Sequence, residues 1–109
     1  MPLLGLLLFL LVQWAIWAHA THIAQAAANE GVQTARAHGS TAEAGRADTT
    51  AILDQMAAAI LVDRTVTVQR TATTATVTVE GEAVAVLPGW TWPVHATVTA
   101  PREQIPGVP

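Results

Sequence analysis

The chain has 109 residues and a net charge of −3, and it contains neither cysteine nor lysine. The lack of cysteine excludes a disulfide framework and a thiolate metal site. The five arginines are scattered singly, so the basic surface that nucleic-acid binding requires is missing from the sequence. This length is enough for an anchor and one small domain. We interpret the abundance of alanine and threonine as coding bias.

The chain begins with a strongly apolar segment. From Leu3 to Ala18 it has no charge and one strongly polar side chain, Gln13. A helix over residues 1–20 would be about 30 Å long, roughly the thickness of a hydrocarbon core. Trp14 and Trp17 lie at its far end, where indoles mark the headgroup level. The sequence therefore predicts a transmembrane anchor formed by Leu3, Leu4, Leu6, Leu7, Leu8, Phe9, Leu10, Leu11, Val12, Trp14, Ile16 and Trp17.

Two points about this segment have alternative interpretations. Gln13 could hydrogen-bond to a neighbouring helix in an assembly, or it could lie near water at the end of the span. The triplet Ala18-His19-Ala20 matches the small-x-small rule for signal peptidase, which would release a secreted domain starting at Thr21. Helix-forming sequence nevertheless continues through Glu30 without a break, and this favours a retained anchor.

We expect the first helix to continue to about Ala37 and to end at Gly39 in a left-handed turn. Gly31 within it is expected to cost about 1 kcal/mol relative to alanine. A capping box at Ser40 to Glu43 predicts a second helix, from about Thr41 to Leu61. The apolar stripe of this helix consists of Ile52, Leu53, Met56 and Ile60.

The Thr/Val region predicts strands because its residues alternate with period two. Two strands lie around residues 65–69 and 76–80, and the alternation shifts near Gly81, which predicts a bulge or a strand break near Gly81-Glu82. A third strand contains Val94, Ala96 and Val98. We expect the sheet to have one apolar face, buried under the second helix and formed by these three residues with Val66, Val68, Val77 and Val79. We predict an α+β fold in which the second helix packs on a small three-stranded antiparallel sheet. The expected parts are a transmembrane segment (1–20), its extramembrane continuation (21–38), an ectodomain (41–100) and a Pro-rich tail (101–109).

Several short motifs follow one another along the chain: the Pro-Leu-Leu-rich span leading into Gln13-Trp14-Ala15, then His19-Ala20, His22 to Ala28, Glu30-Gly31, Arg36-Ala37, the Val-Thr-Val strands, Leu87-Pro88-Gly89 and Pro93-Val94. In this order and spacing, the whole chain resembles a TadE-like protein of actinobacterial type. TadE-like proteins are minor pilin-like proteins of the tight-adherence (Flp) pilus system. The resemblance implies membrane insertion like that of a type IV prepilin, an ectodomain outside the cytoplasm, and a role in pilus assembly.

The family pattern also includes a basic leader, a processing site and a Val-Glu pair before the apolar run. In this sequence Met1-Pro2 stands where that run begins. We therefore expect the genomic sequence immediately upstream to continue in frame. It should encode apolar residues, an acidic residue, a small residue at a processing site, and several Arg or Lys.

The remaining candidate residues give weaker signals. His19 and His22 are three residues apart, but no third ligand lies nearby, so we expect no metal site. Trp90 and Trp92 flank a turn and could form an interaction patch or a second membrane contact, or pack over the sheet edge. No nucleophile–base motif or phosphate-binding loop is recognisable, so we expect a protein that is not an enzyme, with no cofactor. The expected partners are the bilayer and other pilin-like proteins, with no nucleic acid and no small-molecule substrate. A single-pass membrane protein without a pilus role is a further alternative.

Overall fold

A computed structural model describes residues 2–37, 40–86 and 92–101. Helix α1 spans Pro2–Arg36 and helix α2 spans Ala42–Met56. Three strands follow, β1 (Leu61–Arg70), β2 (Thr74–Ala83) and β3 (Pro93–Pro101). They form one antiparallel sheet in the order β1-β2-β3. The predicted α+β class, with one long helix, a second helix and a three-stranded antiparallel sheet, is confirmed.

The sheet has one apolar face, as the period-two alternation predicted. Val77 and Val79 of the central strand and Val94 and Ala96 of β3 are buried, while Thr78 and His95, which lie between them, face the other side. Paired hydroxyls on that outer face lie close together, and the Oγ1 atoms of Thr76 and Thr99 are 3.0 Å apart. The valines therefore form the buried apolar face of the sheet, and the threonines make its opposite face polar.

The C-terminal two thirds of α1 provide much of the surface that covers this apolar face. Both β2 and β3 contact α1, whereas α2 packs beside α1 and reaches β1. The buried residues of α1 are mostly small: Ala20, Ile23, Ala24, Ala27, Ala28, Gly31, Val32 and Ala35. The prediction placed α2 on the sheet and missed this packing role of α1. The alanines interpreted as coding bias also form much of the core.

The two helices approach closely where both carry glycine. A Cβ added to Gly31 would lie 1.8 Å from Oγ1 of Thr49, and one added to Gly45 would lie 2.8 Å from Cβ of Ala35. Thr49 is fully buried, and its hydroxyl donates to the carbonyl oxygen of Gly45 at 2.8 Å. Gly31 thus permits close packing of the two helices. This gain in packing offsets the loss in helix propensity that the sequence predicts for a glycine within α1.

The predicted stripe on the second helix was partly wrong. Leu53 is 1% exposed and Ile52 and Ile60 are partly buried, but Met56 is 59% exposed. The buried residues advance in steps of four, through Gly45, Thr49, Leu53 and Ala57, so Met56 falls beside the contact face. The helix also ends at Met56 instead of continuing to Leu61.

The predicted cap and bulge are each displaced. Thr41, not Ser40, is the N-cap of α2, and its side chain accepts from the backbone N–H of Ala44 at 3.0 Å. The register shift of the sheet lies in β1 between Val62 and Thr65, and β2 continues through Gly81. Asp63 in this irregular part of β1 has a φ of 53°. The bulge is thus on the strand opposite Gly81.

Some predictions concern residues outside the described ranges. These are the ending of the first helix at Gly39, the turn at Leu87 to Gly89, and the Pro-rich tail beyond Pro101.

Candidate functional site

The N-terminal part of α1 projects beyond the domain as an apolar rod. Along Pro2–Val12 most of the large apolar side chains are exposed, with Leu3 at 70% and Leu8 at 64%. A water-soluble surface does not normally expose such a continuous apolar area. Helix α1 is long and apolar enough to cross a membrane. With this helix the molecule is elongated, with extents of 69 × 18 × 18 Å. The predicted anchor residues therefore lie on a helix that could serve as a membrane anchor.

Gln13 marks the point where the domain first bonds to this helix. Its side chain is fully buried, in contrast to the residues that precede it. Nε2 donates to the carbonyl oxygen of Val84 at 3.1 Å, and Oε1 accepts from the backbone N–H of Val86 at 2.7 Å. Gln13 thus has its partners within its own chain, whereas the sequence suggests a neighbouring helix or water.

The two tryptophans of the predicted exit belt have different environments. Trp14 is 56% exposed. Trp17 is partly buried against the core, and its Nε1 donates to the carbonyl oxygen of Pro93 at 2.9 Å. Trp17 therefore also attaches the start of β3 to α1, a contact that no sequence pattern predicts.

These contacts show where hydrogen bonding between α1 and the domain starts. Within the described residues, Gln13 makes the first of these hydrogen bonds, inside the predicted span of residues 1–20. The projecting segment Pro2–Val12 is about 16 Å long, roughly half of a hydrocarbon core. The domain is thus attached along a stretch of helix that the sequence had assigned to the anchor alone.

The other candidate residues do not converge on a chemical site. His19 and His22 are both exposed, and the described ranges hold no group of three or more His, Asp or Glu side chains able to bind a metal. Trp92 is partly buried and packs against the core, while Trp90 lies outside the described residues. The joint interaction patch of these two tryptophans stays a prediction.

Sequence reasoning missed the docking role of Gln13, although a signal for it was present. A single polar side chain inside an apolar run must find a hydrogen-bond partner if it is buried. What the sequence could not show is that this partner is the backbone more than 70 positions along the chain, at Val84 and Val86.

Comparison with known proteins gives one match. Searches among curated proteins and among solved structures find nothing similar to this chain. The family model described as TadE-like protein matches residues 1–33, which covers the projecting apolar segment, Gln13, Trp17 and most of the remainder of α1. The helix that carries both the exposed apolar rod and the docking contacts is therefore similar to the TadE-like family over residues 1–33, as the resemblance implied.

Proposed function

We propose that this protein is a membrane-anchored, minor pilin-like structural component of a Tad/Flp-type pilus assembly or secretion apparatus. Its C-terminal domain would lie outside the cytoplasm, next to the membrane surface. The proposal joins the family match over residues 1–33 to the exposed apolar segment of the same helix. A structural rather than catalytic role is part of it, because the sequence has no recognisable catalytic motif.

One observation carries the proposal: a single uninterrupted helix is shared by the exposed apolar segment and the core of the domain. Helix α1 runs from Pro2 to Arg36 without a break, and its buried residues extend from Gln13 to Ala35. A protein that needs only tethering can use a flexible linker, which lets the domain move freely. A shared helix instead fixes the orientation of the domain relative to the membrane, as an assembly with defined geometry requires.

The secreted alternative is less compatible with these contacts. Cleavage after Ala20 would remove Gln13 and Trp17, whose side chains bond to Val84, Val86 and Pro93. Ala20 itself is fully buried in the core. A domain starting at Thr21 would lose these partners and expose apolar surface. The alternative of a single-pass protein without a pilus role shares the same anchor, so only an assembly experiment separates it from the proposal.

The anchor can be tested with the full chain carrying a C-terminal tag, expressed in its native host. The protein should remain in membranes after a carbonate wash, and protease added outside the cytoplasmic membrane should remove the tag. Leu7→Arg should weaken retention, because an arginine within a spanning helix costs about 2.5–3.5 kcal/mol. The matched control Gln33→Arg lies on an exposed face of the docked part of α1 and should not. A soluble product starting at Thr21 would establish the secreted alternative.

The assembly role is tested by deleting the gene and counting surface filaments by electron microscopy. Deletion should reduce filament number, the full chain should restore it, and Leu7→Arg should restore it poorly. Unchanged filaments in the deletion strain, with the protein still in the membrane, would favour the single-pass protein without a pilus role.

A further inference from the structure

The segment that follows β2 lies against the projecting part of α1. A cleft of about 170 Å³ lies between Val86 and four residues of α1, and its exposed lining is wholly apolar. The four helix residues are Gly5, Leu8, Phe9 and Val12. These helix residues all precede Gln13. Val86 therefore reaches along the segment proposed to be the membrane anchor.

We propose that the Val84–Val86 segment is a second membrane contact, which enters the upper part of the bilayer beside α1, with lipid acyl chains occupying the cleft between Val86 and the helix. This inference rests on the proposed anchoring of Pro2–Val12. If those residues lie in hydrocarbon, a side chain that shares a cleft with Gly5, Leu8 and Phe9 lies at a similar depth.

Hydrogen bonding supports this location. Backbone groups inside a bilayer must be paired within the protein, because each unpaired group costs several kcal/mol. The N–H of Val84 donates to the carbonyl oxygen of Ile60 at 2.8 Å, and the carbonyl oxygen of Val84 accepts from Gln13. The N–H of Val86 donates to the same Gln13 side chain. Gln13 thus pairs backbone groups of an irregular segment where water would be scarce, which explains a glutamine in an otherwise apolar run.

The distribution of charge points the same way. The sequence has no ionisable side chain from Ala83 to Val94, nor from Pro2 to Ala18. At the opposite end of the sheet, Arg70 precedes the β1–β2 turn, and Arg36 donates to the carbonyl oxygen of Pro101. The Val84–Val86 segment can therefore contact lipid without burying a charge of its own, whereas Asp63 and Glu82 at the same end of the sheet would have to stay in water or at the headgroups.

The native chain has no cysteine, so one introduced cysteine can carry a unique environment-sensitive fluorophore. We would label Val86→Cys, with Leu8→Cys as the bilayer reference and Thr73→Cys in the exposed β1–β2 turn as the water reference. The full chain is reconstituted in phosphatidylcholine vesicles with or without a nitroxide on the acyl chain. The nitroxide should quench the label at position 86 about as strongly as the label at position 8, and it should leave the label at position 73 unchanged.

Each other outcome overturns the inference in a recognisable way. If only position 8 is quenched, the anchor stands and the second membrane contact is wrong. If neither position 8 nor position 86 is quenched, the proposed anchoring fails and this inference fails with it. If position 86 is shielded from the nitroxide and its labels quench one another more strongly as the protein-to-lipid ratio rises, a second copy of the chain occupies the cleft instead of lipid.

Discussion

Gly31→Ala adds one methyl group where helices α1 and α2 are closest. The new Cβ would lie 1.8 Å from Oγ1 of Thr49 and 3.2 Å from the carbonyl oxygen of Gly45. No pair of unbonded carbon and oxygen atoms can be this close, so the Thr49 side chain must rotate or the helices must separate. Rotation would break the buried hydrogen bond from Thr49 to Gly45, which is 2.8 Å long.

Three energies decide the size of the effect. Alanine improves helix propensity over glycine by about 1 kcal/mol. Overpacking of a tight interior typically costs about 1–3 kcal/mol, and leaving a buried hydroxyl or carbonyl unpaired costs about 1–3 kcal/mol more. The net expectation is a destabilisation of about 1–5 kcal/mol, opposite in sign to the effect of propensity alone.

The measurement is thermal unfolding of the full chain in detergent, followed by circular dichroism. A domain of this size loses about 4–8 °C in Tm per kcal/mol, so Gly31→Ala should lower Tm by at least about 4 °C. The matched control is Gly5→Ala, because a Cβ at Gly5 has no atom within 4 Å and should change Tm little. Combining Gly31→Ala with Thr49→Ala should cost less than the sum of the two single losses, since the second change removes the clashing oxygen.

A Tm raised by Gly31→Ala would refute this reasoning, because only helix propensity would then be acting. Equal losses from Gly31→Ala and Gly5→Ala would show that the effect does not arise from the contact between the helices. Strict additivity of Gly31→Ala and Thr49→Ala would mean that the two side chains do not meet.

Two further pairs of substitutions test the core and the docking contact, both by the same thermal unfolding. Leu53→Ala should lower the free energy of unfolding by about 2–5 kcal/mol, because Leu53 is only 1% exposed. Met56→Ala is the control and should change it by less than about 0.5 kcal/mol, because Met56 is exposed. Similar losses from the two variants would contradict the orientation of α2. Gln13→Leu should destabilise the fold by about 1–3 kcal/mol, because it leaves backbone groups of the Val84–Val86 segment unpaired. Gln25→Leu, on an exposed face of the same helix, is the control and should have little effect. Equal stability of these two variants would show that Gln13 does not hold that segment.

The sheet could be predicted because its signal is local. Residues that alternate between valine and threonine must face opposite sides of a strand, so Val77 and Val79 were assigned to the core from spacing alone. The position of the bulge was harder to predict. The shift in alternation at Gly81 was visible, but an irregularity in one strand can be matched by an extra residue in its partner, here between Val62 and Thr65.

The packing of the helices could not be predicted in the same way. Apolar stripes are recognised by large side chains, and the buried face of α1 consists largely of alanine and glycine. Small residues give little contrast in hydropathy, yet they allow the close approach at Gly31 and Gly45. Met56 was wrongly predicted to be buried because its side chain is large and apolar. Its position in the sequence does not show whether another element packs against it, and in the described part of the structure none covers it.

The position of Gln13 links the anchor to the domain in a way that neither part explains alone. If the first part of α1 served only as an apolar membrane anchor, a glutamine within it would make membrane insertion less favourable without any benefit. If the domain were independent of the anchor, its β2–β3 connection would need no partner so far toward the N-terminus. The bonds from Gln13 to Val84 and Val86 make sense when one rigid helix both enters the membrane and orients the domain against it. A partner would then meet the domain in one fixed orientation relative to the bilayer. A flexible tether could not fix that orientation.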